Sequence, residues 1–317
     1  MHGLVIRNTG YSYTVKSDAG DIFDCKVKGN FRIRGIRTTN PVAIGDKVTF
    51  IPQEVEGDIE QARQGLITEL DDRKNYIIRK STNLSKQSHI IAANVDMCFL
   101  IVTIKQPETP LQFIDRFLAS AEAYRVPVVL LFNKIDLIDA EWEEYLDAVI
   151  NLYETVGYQC RKISATTGAG IEALRSELSG KVTLLSGNSG VGKSTLINAL
   201  YPHLNLRTSE ISDAYETGKH TTTFSEMYEV DNGGYIIDTP GIKGFGTFDM
   251  KKEEVGHYFK EIFRYSADCR FSNCTHTHEP HCAVREAVES HDIAESRYNS
   301  YLSMLEDEKE DKYRAAY

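Results

Sequence analysis

Gly187-Asn188-Ser189-Gly190-Val191-Gly192-Lys193-Ser194 carries the spacing G-x-x-x-x-G-K-S/T, and these residue types suit the binding of a polyphosphate. The glycines let backbone N–H groups approach phosphate oxygens, and a following helix, opening near Thr195, adds the partial positive charge of its N-terminus. Lys193 is placed to reach the β- and γ-phosphates and the Ser194 hydroxyl to ligate Mg²⁺. A second set of reactive side chains lies further on. Cys269, Cys274 and Cys282, with a histidine drawn from His276, His278 and His281, supply three thiolates and one imidazole, the donor set of a closed tetrahedral zinc site. Four protein ligands leave no place for a catalytic water, so such a zinc is structural and gives a loop-rich segment its folding core.

These side chains need elements to hold them. Apolar runs at 95–104 and 126–132 read as buried parallel strands separated by a helical stretch at 111–124. A helix at 141–153, a strand at 161–164, a helix at 171–178 and a strand at 181–185 follow, the last leading into the glycine-rich loop. Alternation of this kind implies a doubly wound α/β sheet with ligands at the carboxyl ends of its strands. Ahead of it, residues 1–70 hold short alternating runs punctuated by Gly20, Gly29, Gly45 and Gly57, the pattern of a small β-barrel. After Gly244-Phe245-Gly246 the chain reads as helical, interrupted by the Cys/His cluster, and its highly charged end reads as a solvated helix face or frayed terminus. The expected division is a barrel at 1–70, an α/β domain at 71–244 and a helical zinc-binding domain at 245–317.

Asn133-Lys134-Ile135-Asp136 follows the second strand and resembles the guanine-reading N-K-x-D signature of GTPases. Asp136 can accept hydrogen bonds from both the ring N–H and the exocyclic amine of guanine, whereas adenine lacks that amine. Lys134 would cover the base with its stem, and Asn133 would tether the base and the phosphate loop. Ser164-Ala165 resembles the small-residue motif whose backbone donates to the guanine carbonyl. Downstream, Asp238-Thr239-Pro240-Gly241 resembles the D-x-x-G switch, with Asp238 holding Mg²⁺ through water and the Gly241 N–H sensing the γ-phosphate. Either Thr221 or Thr222 would complete the magnesium shell in a switch ordered by that phosphate. In ordinary GTPases the base signature lies downstream of the phosphate loop; here it lies upstream, which implies a circularly permuted GTPase.

Ile242 follows Gly241, where Ras-like enzymes place a glutamine that orients the attacking water. His220 is the candidate replacement, the alternative being a histidine that packs or meets solvent in its loop. With Lys193 and Gly241 it makes up the set expected at the reacting phosphate.

The 317 residues, 41% hydrophobic, allow two or three domains with cores of their own. A long apolar span and a secretory leader are both absent from the sequence, so no membrane association and a cytoplasmic location are expected. In that compartment disulfides are not expected, and Cys25, Cys98 and Cys160, scattered through strand-like segments, read as core residues. The formal charge of -10 argues mildly against nucleic-acid binding, yet residues 1–90 carry 14 Lys plus Arg against 11 Asp plus Glu. Phe31 among Arg32, Arg34 and Arg37 marks a basic loop, read either as a nucleic-acid contact or as a solvated connection.

Taken in order, the barrel, the N-K-I-D, G-N-S-G-V-G-K-S-T, G-K-H-T-T-T and D-T-P-G motifs and the terminal Cys/His cluster make nearly the whole chain resemble the bacterial ribosome small-subunit-dependent GTPases, the RsgA or YjeQ family. The resemblance implies an OB-fold barrel, a permuted GTPase domain and a zinc-binding C-terminal domain, and it favours His276 as the fourth zinc ligand. It implies binding of GTP and GDP, a role in late assembly of the small ribosomal subunit, rRNA binding, and hydrolysis stimulated by that subunit. Nothing in the sequence demands a dimer, so a monomer is expected. Two other readings stand beside this one: a nucleotide-regulated RNA-binding scaffold with incidental turnover, and a permuted GTPase acting on the large subunit. A further expectation is that loss of the γ-phosphate, felt at Asp238 to Gly241, shifts the zinc domain that follows.

Overall fold

The protein is described by a computed structural model, covering residues 1–27, 41–53, 63–80, 88–205, 226–238 and 250–314. The chain opens with five strands, β1 (His2–Asn8), β2 (Tyr13–Ser17), β3 (Ile22–Val27), β4 (Lys47–Gln53) and β5 (Arg63–Leu70). β1, β2 and β3 form an antiparallel meander, β3 pairs parallel with β5, β5 antiparallel with β4, and β4 returns to β1 to close the barrel. Alternation drives this: Tyr13, Val15 and Ser17 of β2 point inward, and Val5, Phe23, Cys25, Val48, Phe50 and Ile67 complete an apolar interior. The basic loop around Phe31 lies outside the described residues.

A hairpin, β6 (Tyr76–Lys80) and β7 (Ser88–Ala93), joins the barrel to the rest of the chain. No sequence signal marked it, because its two runs are short and separated by a polar stretch. The junction is tied by a buried ion pair: Arg73 donates to Asp46 through Nε at 2.7 Å and through a terminal nitrogen at 2.6 Å. Burial pushes the Asp46 carboxyl above its ordinary range, while Arg73 and the Ala43 N–H pull the other way.

The α/β layer follows as β8 (Met97–Val102), α1 (Leu111–Ala123), β9 (Val128–Phe132), α2 (Ala140–Val156), β10 (Gln159–Lys162), α3 (Ile171–Leu178), β11 (Val182–Ser186), α4 (Lys193–Leu200), β12 (Glu226–Val230) and β13 (Gly234–Asp238). Strands run β10-β9-β8-β11-β13 in parallel, with β12 antiparallel beyond β13. Successive residues serve opposite faces. Cys98, Leu100 and Val102 pack with Phe117, Leu118 and Tyr153 of α1 and α2, whereas Phe99 and Ile101 pack with Leu174, Leu178, Leu196 and Ile197 of α3 and α4. The sheet is therefore doubly wound, as its sequence pattern implied. Helix α2 begins where the Asp139 side chain accepts from Trp142 N at 3.2 Å and ends at Gly157 in the left-handed region.

β12 also pairs antiparallel with β1 of the barrel, Arg7 opposite Glu226, so barrel and α/β layer share one eleven-stranded sheet. Lys16 on β2 reinforces the seam with a 2.6 Å contact to Glu229.

Among the described residues, four α-helices follow: α5 (Lys252–Val255), α6 (Lys260–Ser266), α7 (Ala283–Glu289) and α8 (Glu295–Arg314). Their core of Val255, Phe259, Ile262, Val284, Ile293, Tyr301 and Met304 includes Ala119 of α1, so this unit rests directly on the α/β layer. Among the described residues, no helix is long and apolar enough to cross a membrane. Cys25, Cys98 and Cys160 are buried, and burial raises all three thiols, Cys25 and Cys160 to about 12. They are inert core residues, as expected.

Candidate functional site

The parallel strands β11 and β9 deliver their motifs to the same edge. Gly187 to Gly192 curl over the carboxyl end of β11, and Lys193 opens α4. Lys193 Nζ donates to the Gly187 and Asn188 carbonyls at 2.7 and 2.9 Å, which folds its ammonium back across the loop. Ser194 is half-buried in the first turn of α4, and Thr195 beside it is exposed. Val191 is the apolar anchor, fully buried against Gly187. Ser189 lies at the exposed crest beside Gly190.

Asn133 joins the motifs. Its Nδ2 donates to the Val191 carbonyl at 2.8 Å, and its Oδ1 accepts from the Ala165 N–H at 3.0 Å. One amide thus spans the phosphate loop, the Asn133-to-Asp136 signature and the Ser164-Ala165 motif after β10. The approach explains Gly192: at φ 96° it lies in the left-handed region, and a Cβ there would stand 2.5 Å from Asn133 Nδ2. Lys134, itself left-handed at φ 64°, sends Nζ to the Gly190 carbonyl at 2.8 Å, laying its stem along the loop. Ile135 starts a short 3-10 turn ending at Leu137, which holds Asp136 out at the surface. Ser164 Oγ, buried, donates to Asp136 Oδ1 at 2.5 Å and fixes the carboxylate's orientation.

Asp238 ends β13 opposite Leu185 of β11, so its backbone reaches the same edge. His220, Thr221, Thr222 and Gly241 lie outside the described residues, as does the segment expected to pass a change from Gly241 to the C-terminal helices. The described arrangement brings the 187–192 loop, the Asn133-to-Asp136 run and Ser164-Ala165 together despite the inverted chain order. Sequence reading missed the segment at 103–110, whose Gln106 carbonyl accepts from Lys134 Nζ at 2.5 Å. Its signal was present, since Pro107 and Pro110 mark a loop at the carboxyl end of a strand, where ligands of such sheets bind.

The second centre lies among α6, α7 and α8. The ligand atoms of Cys269, Cys274, His276 and Cys282 all fall within 4.8 Å of one another. Cys269 and Cys282 sulfurs are 3.9 Å apart, and His276 Nδ1 is 3.6 and 3.4 Å from them. A tetrahedron with metal–sulfur bonds of about 2.3 Å has edges of about 3.8 Å, so the donor set fits. His276 is buried and faces the sulfurs, while His278 and His281 are exposed. Burial lowers the His276 pKa, favouring the neutral ring that ligates. Tyr298 and Tyr301 hydroxyls hold the His276 and Thr275 carbonyls at 2.5 and 2.7 Å, fixing the loop from α8. These four residues can hold a metal ion.

Comparison with known proteins agrees with the geometry. The RsgA GTPase family model matches residues 70–248, and the RsgA N-terminal domain model matches residues 2–59. A small ribosomal subunit biogenesis GTPase RsgA of Bacteroides fragilis is 64% identical over the full length of both chains, and one of Porphyromonas gingivalis is 55% identical, again over both full lengths. Among solved structures, YjeQ from Thermotoga maritima is similar with a TM-score of 0.76 at 37% identity, covering 96% of this chain and 97% of its own. YloQ, described as a circularly permuted GTPase, gives a TM-score of 0.73 at 27% identity, covering 98% and 95%. The chain belongs to the RsgA family of circularly permuted, GTP-hydrolysing enzymes.

Proposed function

We propose that this GTP hydrolase acts in late maturation of the small ribosomal subunit, where it binds rRNA and where subunit-stimulated hydrolysis controls its docking and release. The observation that carries the reading is the Asn133 side chain, which joins the phosphate loop to both base-facing motifs. Relatives matching over their full length are named for small-subunit biogenesis. In this proposal Lys193 neutralises the β- and γ-phosphates, and Ser194 and a water on Asp238 hold Mg²⁺. Thr221 or Thr222 and the Gly241 N–H answer to the γ-phosphate, and His220 orients the attacking water. The Cys/His cluster takes one structural zinc. The barrel at 1–70 and the helical unit at 245–317 grip RNA on either side of the GTPase domain at 71–244, in a cytoplasmic monomer.

Two measurements test it. The GTP-analogue form should sediment with separated small subunits and not with large ones, whereas the GDP form should be released. Phosphate release should rise when small subunits are added, and His220→Ala should lose that increase. Equal binding of both nucleotide forms without stimulation would instead indicate an RNA-binding scaffold.

A further inference from the structure

The segment at 103–110, between β8 and α1, forms a wall of the nucleotide site that no motif marked. Its inner side is closed on itself. Thr103 and Thr109 are buried, at 1% and 4% exposure. Thr103 Oγ1 donates to the Pro107 carbonyl at 2.5 Å, Thr109 Oγ1 accepts from Thr103 N at 3.1 Å, and Thr109 N donates to the Thr103 carbonyl at 2.8 Å. The outer side of the loop faces the phosphate loop. Gln106 offers its carbonyl to Lys134, and the Pro107 ring lies against Gly190, where a Cβ would stand 3.4 Å from Pro107 Cδ. Lys105 anchors the far side, with Nζ 2.9 Å from Asp139 Oδ2 and 4.9 Å from the ring centre of Trp142.

The Lys134 ammonium is therefore held between two carbonyls on separate elements, Gly190 of the phosphate loop and Gln106 of this wall. A lysine stem left free would have to be ordered when the base arrives, at an entropic cost subtracted from affinity. A stem already pinned has met that cost on folding. We infer that the 103–110 loop is a positioning element for the guanine nucleotide, with the Thr103 hydroxyl holding it in shape so that Lys134 and Gly190 meet the ligand pre-ordered. The inference rests on the guanine-nucleotide reading of the site. Thr103 acts through the loop and touches no reacting atom, so its effect belongs in affinity and not in the chemical step.

The experiment uses the full chain, with calorimetric Kd values for GDP and a GTP analogue and thermal melts of the nucleotide-free protein. Thr103→Val should weaken both nucleotides together by about three- to tenfold, the loss of one neutral hydrogen bond, and Thr103→Ser should restore them. Single-turnover phosphate release at saturating GTP should be unchanged. The exposed-side variant Lys105→Gln, which leaves the buried loop bonds alone, should weaken GDP by about twofold and shift the emission of Trp142, the chain's one tryptophan. Wild-type affinity in a Thr103→Val protein that remains folded at the assay temperature overturns the inference. If Thr103→Val does not fold, wild-type GDP affinity in Lys105→Gln overturns it. A wild-type chain that binds no guanine nucleotide overturns the parent reading, and this inference with it.

Discussion

Arg297 of α8 donates to Asp115 of α1 across 2.8 Å, with 1% of one side chain and 0% of the other exposed. The same guanidinium meets Glu261 of α6 through two bonds of 2.6 and 3.1 Å, and the Ser300 and Tyr153 hydroxyls also donate to Asp115. Burial works against the Arg297 charge, yet Asp115 and Glu261 outweigh it and hold its pKa above the ordinary value. Phe259 lies under the guanidinium, 4.8 Å from ring centre to carbon. Three helices of two different layers are thus fastened at one charge.

Arg297→Met should destabilise the folded chain by about 3–5 kcal/mol, because it leaves two buried carboxylates with no compensating cation. Chemical denaturation with a probe in each layer checks this. A change within about 1 kcal/mol would show that the ion pairs add little and that the junction is held by apolar packing.

Asn133→Ala removes the bond to Val191 and the bond to Ala165 together. Leaving a buried carbonyl and N–H unpaired costs about 1–3 kcal/mol each, so nucleotide affinity should fall by at least about tenfold in calorimetry. Undiminished GDP binding would mean that each motif holds its shape unaided.

Asp136→Asn exchanges an acceptor for an amide able to donate. It should cost guanine about 1–3 kcal/mol of binding and favour a purine with a carbonyl in place of the exocyclic amine, namely xanthine. Competition between GDP and XDP reads the change directly; an unaltered preference for GDP would remove Asp136 from base recognition.

Chelation should unfold the segment around residues 269–282, and one equivalent of zinc should restore it. His276→Ala should lose the metal, whereas His278→Ala should keep it, since only the former imidazole faces the sulfurs. Metal content by atomic absorption and the near-ultraviolet signal of Tyr298 and Tyr301 follow both events. Full retention of zinc by His276→Ala would move the fourth ligand elsewhere.

Much of this arrangement was legible in advance because it rests on local rules. A glycine loop between a strand and a helix, and an Asn-Lys-x-Asp run after a buried strand, carry their geometry in their spacing. So did the four-residue donor set, apart from the choice of histidine, which burial decides and spacing does not. What the sequence hid depends on partners far along the chain. Asp115 on α1 belongs to no motif, and its partner Arg297 lies 182 residues later. Gln106 contributes a backbone carbonyl, which no residue type announces. β12 is a five-residue strand of mixed character, and only its two neighbours in the sheet define it.

That strand also governs how force travels. β12 follows directly on residues 206–225, where Thr221 and Thr222 lie, and its other edge is bonded to β1 of the barrel. The barrel is consequently a continuation of the same sheet and not a bead on a string. A tilt of β12 should therefore be felt at β1, which meets it at Arg7 opposite Glu226 and through the Lys16–Glu229 clasp.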